Sequence, residues 1–87
     1  MPEESALQFP CAFPIKMMGR DTPQFRELAR ALVETHAGLV ADGAVQAAVS
    51  RNGRFVSVTV TITATSQQQL DDIYRDASSH DDILMAL

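Results

Sequence analysis

The chain has one cysteine, no tryptophan and only 6% aromatic residues. Cys11 cannot close an internal disulfide, and His36 and His80 stand too far from it to offer a zinc-binding spacing, so its reading is structural or incidental. No apolar run approaches the ~18 residues that a spanning helix needs. The opening "MPEESALQFP" places two glutamates where a secretory leader carries lysine or arginine, so the expectation is a cytoplasmic location with no membrane contact. Cations are also scarce. Seven Lys+Arg face eleven Asp+Glu, for a formal charge of -4, which works against nonspecific attraction to nucleic acid or anionic lipid.

What is present is an ordinary globular composition. Of 87 residues, 46% are hydrophobic and 21% charged, with a mean hydropathy of -0.02, enough for one small core and too little for two domains. There is no repeat and no low-complexity tract. The reading is a short N-terminal tail over 1–12 and a single domain over 13–87.

"FPIKMMG" reads as a strand with Phe13, Ile15 and Met17 on one face and Pro14, Lys16 and Met18 on the other; the face without the lysine is assigned to the core. Thr22-Pro23 is a helix start, with a capping hydroxyl and a proline at the first helical position. Phe25, Leu28, Ala29, Leu32, Val33 and His36 then follow at the spacing of one helical face, and Gly38 supplies a left-handed stop. A second helix starts at Ser66, where Gln69 completes a capping box and Leu70, Ile73, Tyr74 and Ala77 form the buried stripe. "ILMAL" ends the chain as a short apolar strand.

Between the helices, "SRNGRFVSVTVTIT" predicts a hairpin, because Asn52-Gly53 suits a two-residue type I′ turn. That turn pairs Arg51 with Arg54, Val49 with Val56, Ala47 with Val58 and Val45 with Val60. One face is then apolar, and the other collects Gln46, Ala48 and Ser50 against Thr59, Ser57 and Phe55. Turn chemistry and hydrophobic pattern agree on the register. The order strand–helix–strand–strand–helix–strand predicts an α+β, ferredoxin-like βαββαβ sandwich. Its four-stranded antiparallel sheet should carry two helices on one face, with the first and third strands central.

Several chemistries fit poorly. RNA-binding domains of this topology stack bases on aromatics of the open sheet face, and here Phe55 stands alone among Ser57, Thr59 and Thr61, so no nucleic-acid partner is expected. "GRDTPQFR" faintly resembles the phosphate loop of acylphosphatases, but Asp21 repels phosphate and Pro23 has no N–H to offer. Asp72, Asp76 and His80 fall four apart along the second helix, a spacing able to hold a divalent ion; a solvated acidic face is the simpler account, and no metal or cofactor is expected. His36 reads as a packed or capping histidine with no identifiable nucleophile beside it. Arg51 and Arg54 are less bland, since like charges opposite one another destabilise a hairpin. Something acidic should compensate them, whether an anionic ligand or a partner surface.

"FPCAFPIKMMG" (9–19), "THAG" (35–38), "RNGRFVSVTVTITATSQQQLDDIY" (51–74) and the terminal "ILMAL" together resemble the YbeD-like family of small bacterial proteins. The resemblance implies a fold similar to ACT regulatory domains and a stand-alone, non-enzymatic, regulatory role. ACT-like domains bind small molecules near the loop after the first strand, which implies a candidate ligand site at Gly19, Arg20, Asp21 and Thr22, with Arg51 and Arg54 beside it. Gly19 would let the backbone approach a ligand, while Arg20 and Asp21 would pair with its carboxylate and amine. The expected partners are an unidentified small ligand and a protein, the latter either a client or a second copy. For the protein, the candidate interface is the open sheet face around Met18, Ala48, Phe55 and Thr59. A pure interaction adaptor is the alternative function.

Overall fold

The computed structural model describes residues 7–87. Half of the tail assigned to 1–12 therefore lies outside the described residues, and Cys11 and Ala12 of the other half belong to the first strand. Within them, β1 (Cys11–Arg20), α1 (Pro23–Ala37), β2 (Val45–Val49), β3 (Phe55–Ala64), α2 (Gln67–Ser78) and β4 (Met85–Ala86) follow in the expected order, with one 3-10 turn at Asp42–Ala44. The sheet order is β2-β3-β1-β4 with every neighbour antiparallel. The first and third strands are central, as the topology required.

β1 begins two residues earlier than the sequence suggested, because Cys11 already pairs with Ala64 and both Phe9 and Cys11 pack against the core. Pro14 is tolerated inside this central strand for a geometric reason. Lys16 exchanges both backbone hydrogen bonds with Leu87, so even-numbered residues of β1 aim their backbone at β4, and β4 stops short of Pro14. No ladder bond is lost there.

Both helix caps form as read. Thr22 Oγ1 accepts the Phe25 N–H at 3.0 Å and Ser66 Oγ accepts the Gln69 N–H at 3.1 Å. Gln69 departs from the capping-box pattern: its Oε1 accepts from Thr65 N–H, one residue beyond the cap, and its Nε2 donates to the His36 carbonyl at the end of α1. Gly38 ends α1 at φ 83, ψ 175, with its N–H donating to the Glu34 carbonyl. That backbone region is open essentially to glycine alone.

The hairpin register is the expected one, with Val45, Ala47 and Val49 opposite Val60, Val58 and Val56. The turn is not. Gly53 has φ 75 but no non-glycine residue among those described has positive φ, so Asn52 cannot serve a type I′ turn, and Arg51 and Arg54 are not a strand pair. Residues 51–54 form a four-residue loop, closed by Ser50 N–H to the Phe55 carbonyl (2.8 Å) and Gly53 N–H to the Ser50 carbonyl (2.9 Å). Asn52 Oδ1 accepts from the Ser50 hydroxyl and the Arg54 N–H. Two- and four-residue loops share the same centre, which is why the register survives.

The core is wholly apolar among the described residues. Ile15 and Met17 of β1, Val56, Val58 and Val60 of β3, and Phe25, Val33, Leu70 and Ile73 of the helices are buried, and no polar group is buried with them. Each such aliphatic side chain contributes roughly 1.5–3 kcal/mol on leaving water. The helices cover β3 and β1 and leave the outer strand β2 overhanging, so Ala47 and Val49 are exposed although they occupy the core face. Burial also pushes the Tyr74 phenol above its ordinary pKa.

Candidate functional site

β1 and β4 are neighbours, so the β1–α1 loop must lie beside the segment that joins α2 to β4. Between them is a pocket of about 320 Å³, lined by Arg20, Thr22, Gln24, Phe25, Asp81, Asp82 and Leu84. Its volume is at the lower end for small-molecule sites. Arg20 and Thr22 were expected there; Gln24, Asp81, Asp82 and Leu84 were not. The missing signal lay in topology, since "HDDIL" leads into the strand that pairs with β1.

The remaining predicted residues have other tasks. Gly19 does not open the backbone to a ligand: a Cβ at this position would run into the Phe25 ring and stand 2.6 Å from the Asp82 carbonyl oxygen. The glycine makes room for α1 and the last loop. Asp21 is held by Arg26, whose Nη2 and Nε donate to Oδ1 at 3.0 and 3.3 Å, so it is not free to receive an amine. The Thr22 hydroxyl is occupied as a cap. Arg51 and Arg54 stay at the hairpin tip outside the pocket, although Asp21 N–H donates to the Arg54 carbonyl and ties the two loops together. Arg20 extends over the Phe55 ring, with Cζ 5.7 Å from its centroid.

The charges divide by layer. On the helices, Arg26 pairs with Asp21, Arg30 with Glu34 and Asp42, and Arg75 with Asp72. On the sheet and its hairpin, Lys16, Arg20, Arg51 and Arg54 have no carboxylate within ion-pair distance among the described residues. The like-charge strand pair of Arg51 and Arg54, from which a compensating ligand or partner surface was expected, does not form. Asp81 and Asp82 share the pocket wall with Arg20 without closing onto it.

Asp72, Asp76 and His80 do not converge. Asp72 accepts from Arg75 and Gln68, while Asp76 lies between two histidines, with Oδ2 2.9 Å from His36 Nε2 and Oδ1 3.5 Å from His80 Nε2. His36 thus links α1 to α2, a contact with no local sequence signature. No group of three or more metal-binding side chains occurs among the described residues, and no helix among them is long and apolar enough to cross a membrane.

On the predicted open-face interface, Met18, Ala48 and Phe55 line a shallow depression of about 240 Å³. Thr59 lies in the next cross-strand row, between Gln46 and Lys16.

Comparison with known proteins agrees with the fold. The chain aligns with the solution structure of Protein HP0495 from H. pylori at a TM-score of 0.75 and 17% identity, covering 100% of this chain and 94% of that one. A UPF0250 protein of Nitrosomonas europaea is 40% identical over the full length of both chains. Another, from Paraburkholderia phytofirmans, is 43% identical over 88% of this chain and 86% of its own. The family model described as "Protein of unknown function (DUF493)" matches residues 4–87; the chain therefore belongs to the DUF493, or UPF0250, family of small bacterial proteins, the YbeD-like family.

Proposed function

We propose that the chain is a non-catalytic regulatory module that holds a small ligand in the pocket between the β1–α1 loop and the α2–β4 segment. The observation that carries this reading is Arg20, a guanidinium without a carboxylate partner among the described residues, on one wall of a pocket that also exposes Asp81 and Asp82. Such a site suits a ligand of about ten heavy atoms bearing one acidic and one basic group, with Phe25 and Leu84 contacting its apolar part. A free amino acid has this character. Binding is favoured over catalysis because the wall offers no histidine, cysteine or serine beside its two carboxylates, and its one hydroxyl is already a helix cap, which leaves no hydroxyl or thiol paired with a histidine base.

A thermal-shift screen against amino acids, nucleotides, divalent metals and acyl carboxylates tests the proposal. A ligand at a hundred times its dissociation constant adds about 2.7 kcal/mol, or roughly ten degrees or more in a domain of this size. The expected result is a shift that disappears in Arg20→Ala and persists in Arg51→Ala, which lies outside the pocket. A flat screen, or a shift indifferent to Arg20, rejects it.

A further inference from the structure

None of the four strands contains an aspartate or glutamate, although the chain carries eleven. The acidic residues lie on the helices, the loops and the N-terminal stretch, and the sheet holds only cations, Lys16 and Arg20. Cross-strand pairing sets out what the uncovered sheet face presents. One row is Gln46, Thr59, Lys16 and Leu87; the next is Ala48, Ser57, Met18 and Met85; the third has Phe55 beside Arg20. Met85 and Leu87 are 51% and 61% exposed. An acidic protein thus has one face that is apolar at its centre and whose charged side chains are both cations, and these two have no intramolecular ion pair among the described residues.

We infer that this face docks an acidic amphipathic helix of a partner protein. Charge complementarity selects the sign, because every helix-layer arginine already has its carboxylate while Lys16 and Arg20 have none among the described residues. Spacing selects the form. Along β1, Lys16, Met18 and Arg20 project from the same face at intervals of roughly 6.7 Å. A helix lying along the strand returns a side chain to one line about every 6 Å, four residues apart, so acidic, apolar and acidic residues at i, i+4 and i+8 meet Lys16, Met18 and Arg20 in turn. Met18 and Met85, unbranched and polarizable, adapt to whichever aliphatic chain arrives between them. This surface is distinct from the ligand pocket: Lys16, Met18 and Met85 do not line the pocket, and Arg20 alone touches both.

The test is an NMR titration of the full-length protein with a synthetic helical peptide carrying leucine flanked by glutamate four residues to either side. The controls are a lysine-for-glutamate peptide and a short oligouridine. Amide shifts should centre on Met18, Ser57, Phe55 and Met85, appear at peptide concentrations up to about 1 mM, and weaken as salt rises. Lys16→Glu, an exposed substitution, should weaken binding roughly tenfold, and Met85→Ser should weaken it in the same direction. Each substitution should leave the thermal midpoint nearly unchanged. Absence of shifts, shifts confined to the helix layer, or equal response to the basic peptide overturns the inference. So does preferential binding of the oligouridine, or a dimer by light scattering that Met85→Ser dissolves, since the face would then serve RNA or a second copy.

Discussion

His36 Nε2 lies 2.9 Å from Asp76 Oδ2 although the two residues are 40 positions apart. The same carboxylate approaches His80 through its other oxygen, and close by the Gln69 side chain donates to the His36 carbonyl. One end of α1 is thereby joined to α2 by polar contacts that supplement the apolar stripe. Partly exposed polar pairs contribute about 1 kcal/mol or less. Asp76→Ala should therefore lower stability by about that amount, and a double-mutant cycle with His36→Ala should give a coupling of roughly 0.5–1 kcal/mol. Strict additivity in urea melts would remove the pair from the account of how the helices are held.

Gly19 and Phe25 make a second test. The Phe25 ring occupies the space where a Cβ of residue 19 would stand, and the Asp82 carbonyl closes the other side. Overpacking of this kind costs about 1–3 kcal/mol, so Gly19→Ala should destabilise the domain within that range. The change should also disturb the pocket, since Phe25 and Asp82 both line it. A fully stable Gly19→Ala protein would show that α1 can shift away from the sheet at low cost.

Gly38 and Gly43 should respond in opposite ways to the same substitution. Neither has atoms within 4 Å of where a Cβ would stand, but Gly38 has φ 83 and pairs it with ψ 175. Backbone strain in that region costs of order 1–3 kcal/mol for a residue with a side chain. Gly38→Ala should thus lower the denaturant midpoint clearly, whereas Gly43→Ala should be neutral or slightly stabilising by restricting the unfolded chain. Equal effects at the two sites would mean that α1 can end in another conformation.

Local chemistry made the fold legible. Thr22, Ser66 and Gly38 mark helix ends by hydrogen-bonding and φ requirements that act within a few residues, and alternation along β3 sorts its faces without reference to distant parts. Asn52-Gly53 placed the hairpin correctly even though the turn conformation differs, because the register depends on the centre of the loop and not on its type. The site was less legible. Arg20 and Thr22 were found through the resemblance, but Asp81 and Asp82 join them only because β4 lies against β1, and the four-residue spacing of Asp72, Asp76 and His80 pointed to an acidic helix face instead. Asp21 looked available for a ligand because nothing in the sequence says which way Arg26 reaches from the first turn of α1. Contacts such as His36–Asp76 depend on how two helices are rotated against each other, which no single-segment pattern encodes.

The last prediction concerns acid. Glu34 Oε2 accepts the Val40 N–H at 3.0 Å and the Arg30 guanidinium at 3.3 Å, and Arg30 also donates to Asp42 and to the Val40 carbonyl. This network fastens the segment after α1 back onto the helix. The Val40 N–H foremost, then Arg30, outweigh partial desolvation and hold the Glu34 carboxyl below its ordinary value of 4.5, while Asp42 and Glu34 raise the Arg30 guanidinium further. A carboxylate favoured in the folded chain contributes its full stability above 4.5 and loses it as the pH falls through its lowered folded value. Glu34→Gln resembles the protonated side chain at every pH. The midpoint of the wild type should therefore exceed that of Glu34→Gln at neutral pH, and the gap should close below about 4.5. Should the gap stay constant down to pH 3, the charge of Glu34 would have no part in holding residues 38–44, and only the shape of its side chain would matter.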